Sequence, residues 1–346
     1  MLTKDNYTLE HINELRKYRN TDTFILERSI YAFGLLEALC KVKMPFIFKG
    51  GTSLMLLLEH PRRLSTDVDI IVSPGTDVES YLKKVEKIFP FEKVVQQERI
   101  GKNGIAKKHY KFYYKSPVKS DTLFYILLDI LFEENHYARI VSKPIKNDLL
   151  NTQGEDLEVV LPSVDCILGD KLTAFAPHTT GIPLGIGKEL EIIKQMYDVA
   201  ALIDVFDDFE DVYNSYMAIV ETEINYRGLD ISANEVLMDT IDTAACIAGR
   251  GQIGSEYPMY LAGIKSISTH IYDERYSAEK AVLSACKTMY LAACTLRKSN
   301  FEKVIDCNLY LDRNIGKSNY SKLSKLRKFN AEAFSYVVKT VELLEK

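Results

Sequence analysis

The sequence predicts an α/β amino-terminal domain over residues 1–205, followed by an all-helical domain over residues 206–346. Through the first part, short apolar runs typical of strands alternate with amphipathic helical patterns. One of these runs, residues 121–132, is apolar almost throughout, which is typical of a buried central strand. From Val205 onward the apolar positions recur at helical spacing, in alanine-rich stretches near 234–248, 277–297 and 329–345.

Each element of the first domain has its own local signal. An amphipathic helix is predicted over 7–20, and a second helix begins at a cap formed by Thr21 or Asp22 and runs to about Cys40. A helix over 52–59 ends at Pro61, which cannot continue it. Further helices are predicted at 78–89, from Ser163, and at 188–204. The predicted strands are 46–48, 67–72, 91–99, 105–115, 121–132, 136–141 and 157–161.

Composition excludes several classes of protein. The 346 residues are 47% hydrophobic and 27% charged, as in ordinary globular proteins, and no apolar run is long enough to span a membrane. The net charge of −4 argues against broad, sequence-blind nucleic-acid binding but leaves a local basic patch open. The six cysteines form no Cys-x-x-Cys element, which argues against a zinc site. We expect a cytoplasmic protein without a membrane partner.

A glycine turn between a strand and a helix predicts a phosphate site. Gly50 and Gly51 follow the apolar run 46–48, and Thr52 and Ser53 open the next helix. Backbone amides at a helix start are unpaired within the helix and attract anions, and a hydroxyl can add a further donor. Such a turn is by itself more often only a tight turn.

Carboxylates on two predicted strands point to a divalent cation. Asp67 and Asp69 alternate with apolar residues and therefore share one face of a strand, and Asp129 lies inside the apolar run 121–132. Neighbouring carboxylates repel unless they are solvated or bind a cation. Asp129 completes a triad if its strand pairs with 67–72; otherwise it is a buried acid satisfied by a turn, and Glu133 or Glu134 takes its place.

The motif Lys49-Gly50-Gly51-Thr52-Ser53-Leu54, followed by Arg63-x-Ser65-x-Asp67-x-Asp69 and an apolar strand, resembles the AbiEii-type nucleotidyltransferase toxins. These belong to the DNA-polymerase-β-like nucleotidyltransferase superfamily. The resemblance extends over about residues 25–205 and implies a nucleotidyltransferase fold with a mixed sheet. It implies nucleotide binding by residues of the motif, namely Lys49, Gly50, Gly51, Thr52, Ser53, Arg63 and Ser65.

The resemblance also implies two site residues further along the chain. Lys171, in Gly-Asp-Lys-Leu-Thr-Ala, matches a family lysine that can reach the triphosphate, although a surface lysine is the ordinary interpretation. Asp198 takes the position of a family acid. The family has an arginine close to that acid, whereas this chain has Lys188 and Lys194, which leaves the partner of Asp198 open.

The resemblance implies a magnesium-dependent transfer of a nucleoside monophosphate from an NTP to an acceptor hydroxyl, with Mg²⁺ held by Asp67, Asp69 and Asp129. The implied acceptor is RNA, such as the 3′ end of a tRNA. The implied role is the toxin of a toxin–antitoxin or phage-defence pair, with a cognate antitoxin. The alternatives are transfer to a small molecule of the antibiotic type, or a catalytically silent nucleotide-binding protein of the same fold.

Two basic features leave alternatives open. Arg63 either neutralises triphosphate charge or pairs with Asp67 to hold the loop. The predicted strand 105–115 interleaves Lys107, His109 and Lys111 with aromatic residues. It is either a solvated edge strand or a basic, aromatic face that meets an RNA or nucleotide substrate.

Overall fold

The computed structural model describes residues 1–17, 21–97, 106–272 and 274–346. The chain packs as two compact units, the first formed by Met1–Ser163 with Thr269–Arg275 and the second by Val164–Ser268 with Tyr276–Lys346. Within the described ranges every strand lies in the first unit, and the second is built from helices. The two compact units are defined by how the chain packs. They do not test the domain boundary predicted at residue 205, which stays a prediction.

A five-stranded mixed sheet forms the centre of the first unit. The strands β1 (Ile47–Lys49), β2 (Val68–Val72), β3 (Lys93–Gln97), β4 (Lys107–Ser116) and β5 (Thr122–Phe132) lie in the order β1-β2-β5-β4-β3. β2 and β5 run parallel, and the other neighbours run antiparallel. A separate sheet pairs β6 (Ile140–Pro144) with β7 (Glu158–Pro162). The predicted mixed sheet is confirmed, and the strand predicted at 136–141 begins at Ile140 instead.

The helices of the first unit are α1 (Leu9–Arg16), α2 (Thr23–Lys41), α3 (Gly50–Leu57) and α4 (Val78–Val85). Asp22 caps α2, as predicted, by accepting hydrogen bonds from the backbone N–H groups of Phe24 and Ile25. The buried Glu27 of α2 accepts hydrogen bonds from Tyr114 Oη and Ser116 Oγ, both at 2.7 Å. α2 is therefore fixed against β4 by a satisfied buried carboxylate.

The two faces of the sheet differ in character. On β4, Tyr110, Phe112 and Tyr114 are buried, whereas the alternate positions are half-buried or exposed. We call the first the closed face and the second the open face. β4 lies between β3 and β5, so its interpretation as an edge strand was wrong. Strand order depends on long-range pairing, which the composition of a single strand does not predict. The sequence Gly-Lys-Asn-Gly at 101–104 predicts a hairpin turn, and these residues lie outside the described ranges.

The second unit is helical, as the sequence predicted for residues beyond 205. Its helices are α5 (Val164–Ala174), α6 (Glu189–Ile203), α7 (Phe209–Arg227), α8 (Ala233–Gly249), α9 (Tyr257–Ile267), α10 (Ala278–Arg297), α11 (Asn308–Leu311) and α12 (Ala331–Leu344). His178, between α5 and α6, contacts Asp239 through Nδ1 at 2.7 Å and Glu256 through Nε2 at 3.0 Å. None of the helices described in either unit combines the length and the hydropathy that crossing a bilayer requires.

Candidate active site

Four chemically active side chains lie in register across four strands of the sheet. Lys49 of β1 is opposite Asp69 of β2, Asp69 is opposite Asp129 of β5, and Asp129 is opposite His109 of β4. Residues in register on neighbouring strands project from the same face. We call these four residues the acid row. The predicted pairing of the two acid-bearing strands is present, and it makes Asp69 and Asp129 direct neighbours on the open face.

A histidine that the sequence did not single out orients one of the acids. His109 Nδ1 lies 2.6 Å from Asp129 Oδ1, and the His109 side chain is only 14% exposed. With Nδ1 as donor, the bond fixes one carboxylate oxygen of Asp129 and lets the other face a ligand. Among the residues 107–115, sequence reasoning counted His109 merely as part of a basic face. Its alternation with the aromatic residues indicated only that it shares one face of its strand with Lys107 and Lys111, because the register that brings it to Asp129 is not visible in the sequence.

The glycine turn lies directly against the acid row. Gly50 has φ +79°, and a Cβ atom on it would approach Asp69 Cγ to 2.8 Å. A Cβ atom on Gly51 would come within 2.7 Å of Arg63 Nη2 and 2.9 Å of Ser65 Oγ. Both positions therefore need the absence of a side chain, and Gly50 also needs a backbone conformation that glycine readily adopts. The turn, the arginine, the serine and the acid thus form one continuous surface.

The same turn starts α3 two residues earlier than predicted. The helix begins at Gly50, so both glycines belong to its first turn, and among the described residues no side chain caps it. Thr52 Oγ1 donates a hydrogen bond to the backbone oxygen of Asp67, and Ser53 Oγ donates to that of Gly50 at 2.8 Å. The two hydroxyls hold the loop together here, which makes the backbone amides of the first turn its principal anion donors.

Asp67 is held by an arginine from outside the motif. Arg28 of α2 places Nη2 3.2 Å from Asp67 Oδ1, and the Asp67 side chain remains 46% exposed. The Nε of Arg28 is buried and makes no hydrogen bond to the described residues. Arg63, the arginine of the motif, is buried and donates through Nη1 to the backbone oxygen of Leu64 at 3.1 Å. The Arg63 guanidinium lies beside Gly51, where its positive charge suits an anionic ligand.

Asp67, Asp69 and Asp129 are the candidate ligands for Mg²⁺. The described residues hold no group of three or more histidine, cysteine or acidic side chains arranged as a metal site. Asp69 and Asp129 nevertheless supply carboxylate oxygens from adjacent positions, and Asp67 lies on the same strand segment as Asp69. Mg²⁺ is commonly bound by one or two carboxylates together with substrate phosphates and water. The residues present fit that mode of binding.

The predicted residues of the second unit contact each other. Lys171 Nζ of α5 lies 3.1 Å from Asp198 Oδ2 and 2.9 Å from Gln195 Oε1 of α6. The side chains of Lys171 and Asp198 are 9% and 2% exposed. Lys171 is therefore a partner of Asp198, whose contacts the sequence left open. Replacement of either residue would leave the charge of the other buried without this partner, which strongly destabilises a fold. A role of these two residues in catalysis stays a prediction.

The remaining predicted residues lie in the acid row or next to it in the chain. The Lys49 ammonium lies 5.7 Å from the ring centroid of Tyr137. Glu133, considered as a substitute for Asp129, follows the end of β5, where its backbone N–H donates to Val72 at 3.1 Å. Glu134 is exposed beyond it. Asp129, not these two acids, is the residue in register with Asp69.

Comparison with known proteins gives one match to a protein family. The family model described as nucleotidyl transferase AbiEii toxin, type IV TA system, matches residues 35–267, about two thirds of the chain. Among solved structures, an antigenic nucleotidyltransferase-like protein from Paracoccidioides brasiliensis is similar at 14% identity and a TM-score of 0.36, covering 59% of this chain and 93% of that one. No curated protein matches the sequence.

Proposed function

This chain belongs to the AbiEii nucleotidyl transferase toxin family, and from that membership we propose that it transfers a nucleoside monophosphate from an NTP to a hydroxyl of an RNA acceptor. As a family member the protein is a nucleotidyltransferase with a role in a toxin–antitoxin system, which implies an antitoxin partner. The observation that carries the proposal is the in-register pair Asp69 and Asp129 with Gly50 packed against Asp69.

The proposed reaction exchanges one phosphorus–oxygen bond of the NTP for another. The acceptor oxygen attacks the α-phosphorus of the NTP, a new phosphorus–oxygen bond forms, and the bond from the α-phosphorus to the β-phosphate oxygen breaks. Pyrophosphate leaves with the bonding electron pair, and the hydroxyl proton passes to a base. Asp129 is the proposed base because His109 holds one of its oxygens, which orients the other toward the acceptor.

The nucleotide would be held by the elements that surround the acid row. In the proposal the backbone amides of the first helical turn, at Gly50, Gly51, Thr52 and Ser53, hold the β- and γ-phosphates. The cationic and polar groups around the turn, Lys49, Arg63 and Ser65, add charge and hydrogen bonds. Arg28 would hold Asp67 in place through its Nη2 contact at 3.2 Å.

Magnesium is the proposed cofactor, with Asp67, Asp69 and Asp129 as the residues that hold it. When bound, the cation would offset the charge of the triphosphate and of the developing transition state. A catalytic role for Lys171 and Asp198 is proposed only from their resemblance to the family residues. Because NTPs and RNA are the proposed substrates, we also place the activity in the cytoplasm.

Incubation of the protein with α-labelled NTPs and total RNA tests the proposal. We expect Mg²⁺-dependent transfer of label into RNA by the wild-type protein and none by Asp69→Asn, whose circular dichroism should match the wild type. Label in a small-molecule fraction would identify the other class of acceptor. Full activity in a correctly folded Asp69→Asn protein would contradict the assignment of the acid row as the active site.

A further inference from the structure

The open face of the sheet carries lysines and tyrosines beside the acid row. On β4, Lys111 and Tyr113 follow His109 at alternate positions, so all three share this face. Tyr113 is opposite Lys93 of β3 on one side and Tyr125 of β5 on the other. We call Lys93, Lys111, Tyr113 and Tyr125 the lysine–tyrosine patch.

The members of the patch contact one another. Lys111 Nζ lies 4.3 Å from the ring centroid of Tyr125, and Lys93 Nζ lies 4.6 Å from that of Tyr113. The two ring centroids are 5.7 Å apart and tilted by 57°, so the rings present separate faces. Within the described part of the chain neither lysine forms an ion pair with a carboxylate, and both charges remain available to an anion.

The neighbours of the patch fit an amphipathic ligand. Val95 of β3 and Leu123 of β5 lie on the same face, and both are more than 40% exposed. Lys115, the next lysine along β4, is neutralised by Glu92 at 3.0 Å and therefore limits the basic surface. The patch thus combines positive charge, aromatic rings and exposed apolar side chains next to the acid row. Its local positive charge contrasts with the net charge of −4 of the whole chain.

We propose that the lysine–tyrosine patch binds the single-stranded nucleotides that precede the acceptor hydroxyl, an inference that rests on the proposed function. Unpaired bases stack on aromatic rings, and lysines contact the phosphates between them. A base that stacks on Tyr125 takes the place of the Lys111 ammonium, whose flexible stem lets it reach a phosphate. Paired bases present no free ring faces, so the patch selects a single-stranded end over a duplex.

The spacing along β4 orders the acceptor on the sheet. Lys111 is two residues and Tyr113 four residues from His109, which corresponds to about 7 Å and about 14 Å along the strand. The terminal nucleotide then lies at the acid row, and the nucleotides before it lie at Lys111 and at the two rings. Continuity with the acid row distinguishes this surface from a basic patch elsewhere on the protein.

Binding of a fluorescein-labelled oligouridine of about ten nucleotides, measured by anisotropy without NTP, tests the patch directly. We expect Lys111→Gln/Tyr125→Leu to bind it about 5- to 150-fold more weakly than wild type, the range that one lost stacking interaction spans. The matched control is Lys84→Gln/Tyr81→Leu, which removes a cation–π pair from α4 in the same unit (5.5 Å from ammonium to ring centroid). It should bind like wild type.

Two further measurements separate this inference from the proposed function. Lys93→Gln/Lys111→Gln keeps both rings and should reduce the salt dependence of oligouridine binding, by about 0.7 in slope for each lost phosphate contact. In the transfer assay, patch variants should raise KM for RNA while KM for the NTP stays unchanged. If the patch variants bind oligouridine as tightly as the control does, the inference that the patch binds single-stranded RNA is wrong. If the wild-type protein transfers no label, the proposed function is wrong, but the binding comparison still tests the RNA-binding role of the patch.

Discussion

Replacement of Gly50 by alanine tests whether the glycine turn and the acid row form one site. Gly50 has φ +79°, so an alanine there is strained by about 1–2 kcal/mol. The new Cβ atom would also lie 2.8 Å from Asp69 Cγ and closer still to Asp69 Oδ2, so the carboxylate must move by at least about 0.6 Å to restore a contact of 3.4 Å at Cγ, and by more at Oδ2. A displacement of about 1 Å at reacting groups can lower the rate by about 100-fold.

Gly75 provides a matched control. It has φ +86° in the turn after β2, and a Cβ atom on it would meet nothing within 4 Å. Gly75→Ala therefore carries the same backbone strain without the contact to Asp69. Urea unfolding should show a loss of about 1–2 kcal/mol in Gly75→Ala and an equal or larger loss in Gly50→Ala.

The transfer assay separates the two variants more widely than unfolding does. We expect kcat/KM to fall by about 100-fold in Gly50→Ala, because the Asp69 carboxylate is displaced, and to stay near wild type in Gly75→Ala. Equal activity of the two alanine variants, with both proteins folded, would refute the reasoning that Asp69 acts from the position that Gly50 permits.

Further predictions concern three other groups. His109→Gln should lower kcat by about 10- to 100-fold with little change in unfolding, because His109 orients an acid and does not hold the core; an unchanged kcat would deny it that role. Lys171→Met should lower the free energy of unfolding by about 3–5 kcal/mol, because the Asp198 carboxylate stays buried without this cation. The control Lys115→Met removes an exposed pair with Glu92 and should leave the free energy of unfolding near that of the wild type. Burial lowers the pKa of His178, but hydrogen bonds to Asp239 and Glu256 outweigh this effect and raise the pKa above 6.5. The stabilisation of the fold by charged His178 is therefore fully present below pH 6.5 and is lost as the pH rises through the raised pKa. Thermal unfolding across that range should show this loss in wild type and not in His178→Asn.

The sequence predicted the parts of the site that are local in the chain. Asp67 and Asp69 share a motif with the glycine turn, and an acid inside an otherwise apolar strand marked Asp129. The run of lysines and aromatic residues in the predicted strand 105–115 also marked a basic, aromatic segment. These signals depend on neighbours within a few residues, which a pattern in one chain can record.

The contacts that join distant segments could not be predicted. His109 meets Asp129 because β4 and β5 pair in one register, and that register is fixed by the whole sheet. Arg28 reaches Asp67 from a helix 39 residues away, since α2 packs where Glu27 anchors it under β4. The start of α3 was misplaced by two residues because a glycine with positive φ gives no helical signal of its own.

We propose that Asp69 and Asp129 hold the cation beside a triphosphate bound at the glycine turn. Anomalous diffraction from crystals soaked with Mn²⁺ and a non-hydrolysable NTP locates the metal directly. We expect a manganese peak in contact with both carboxylates, with the triphosphate against Gly50 and Gly51. Manganese and triphosphate bound elsewhere, with neither aspartate in contact with the metal, would contradict it.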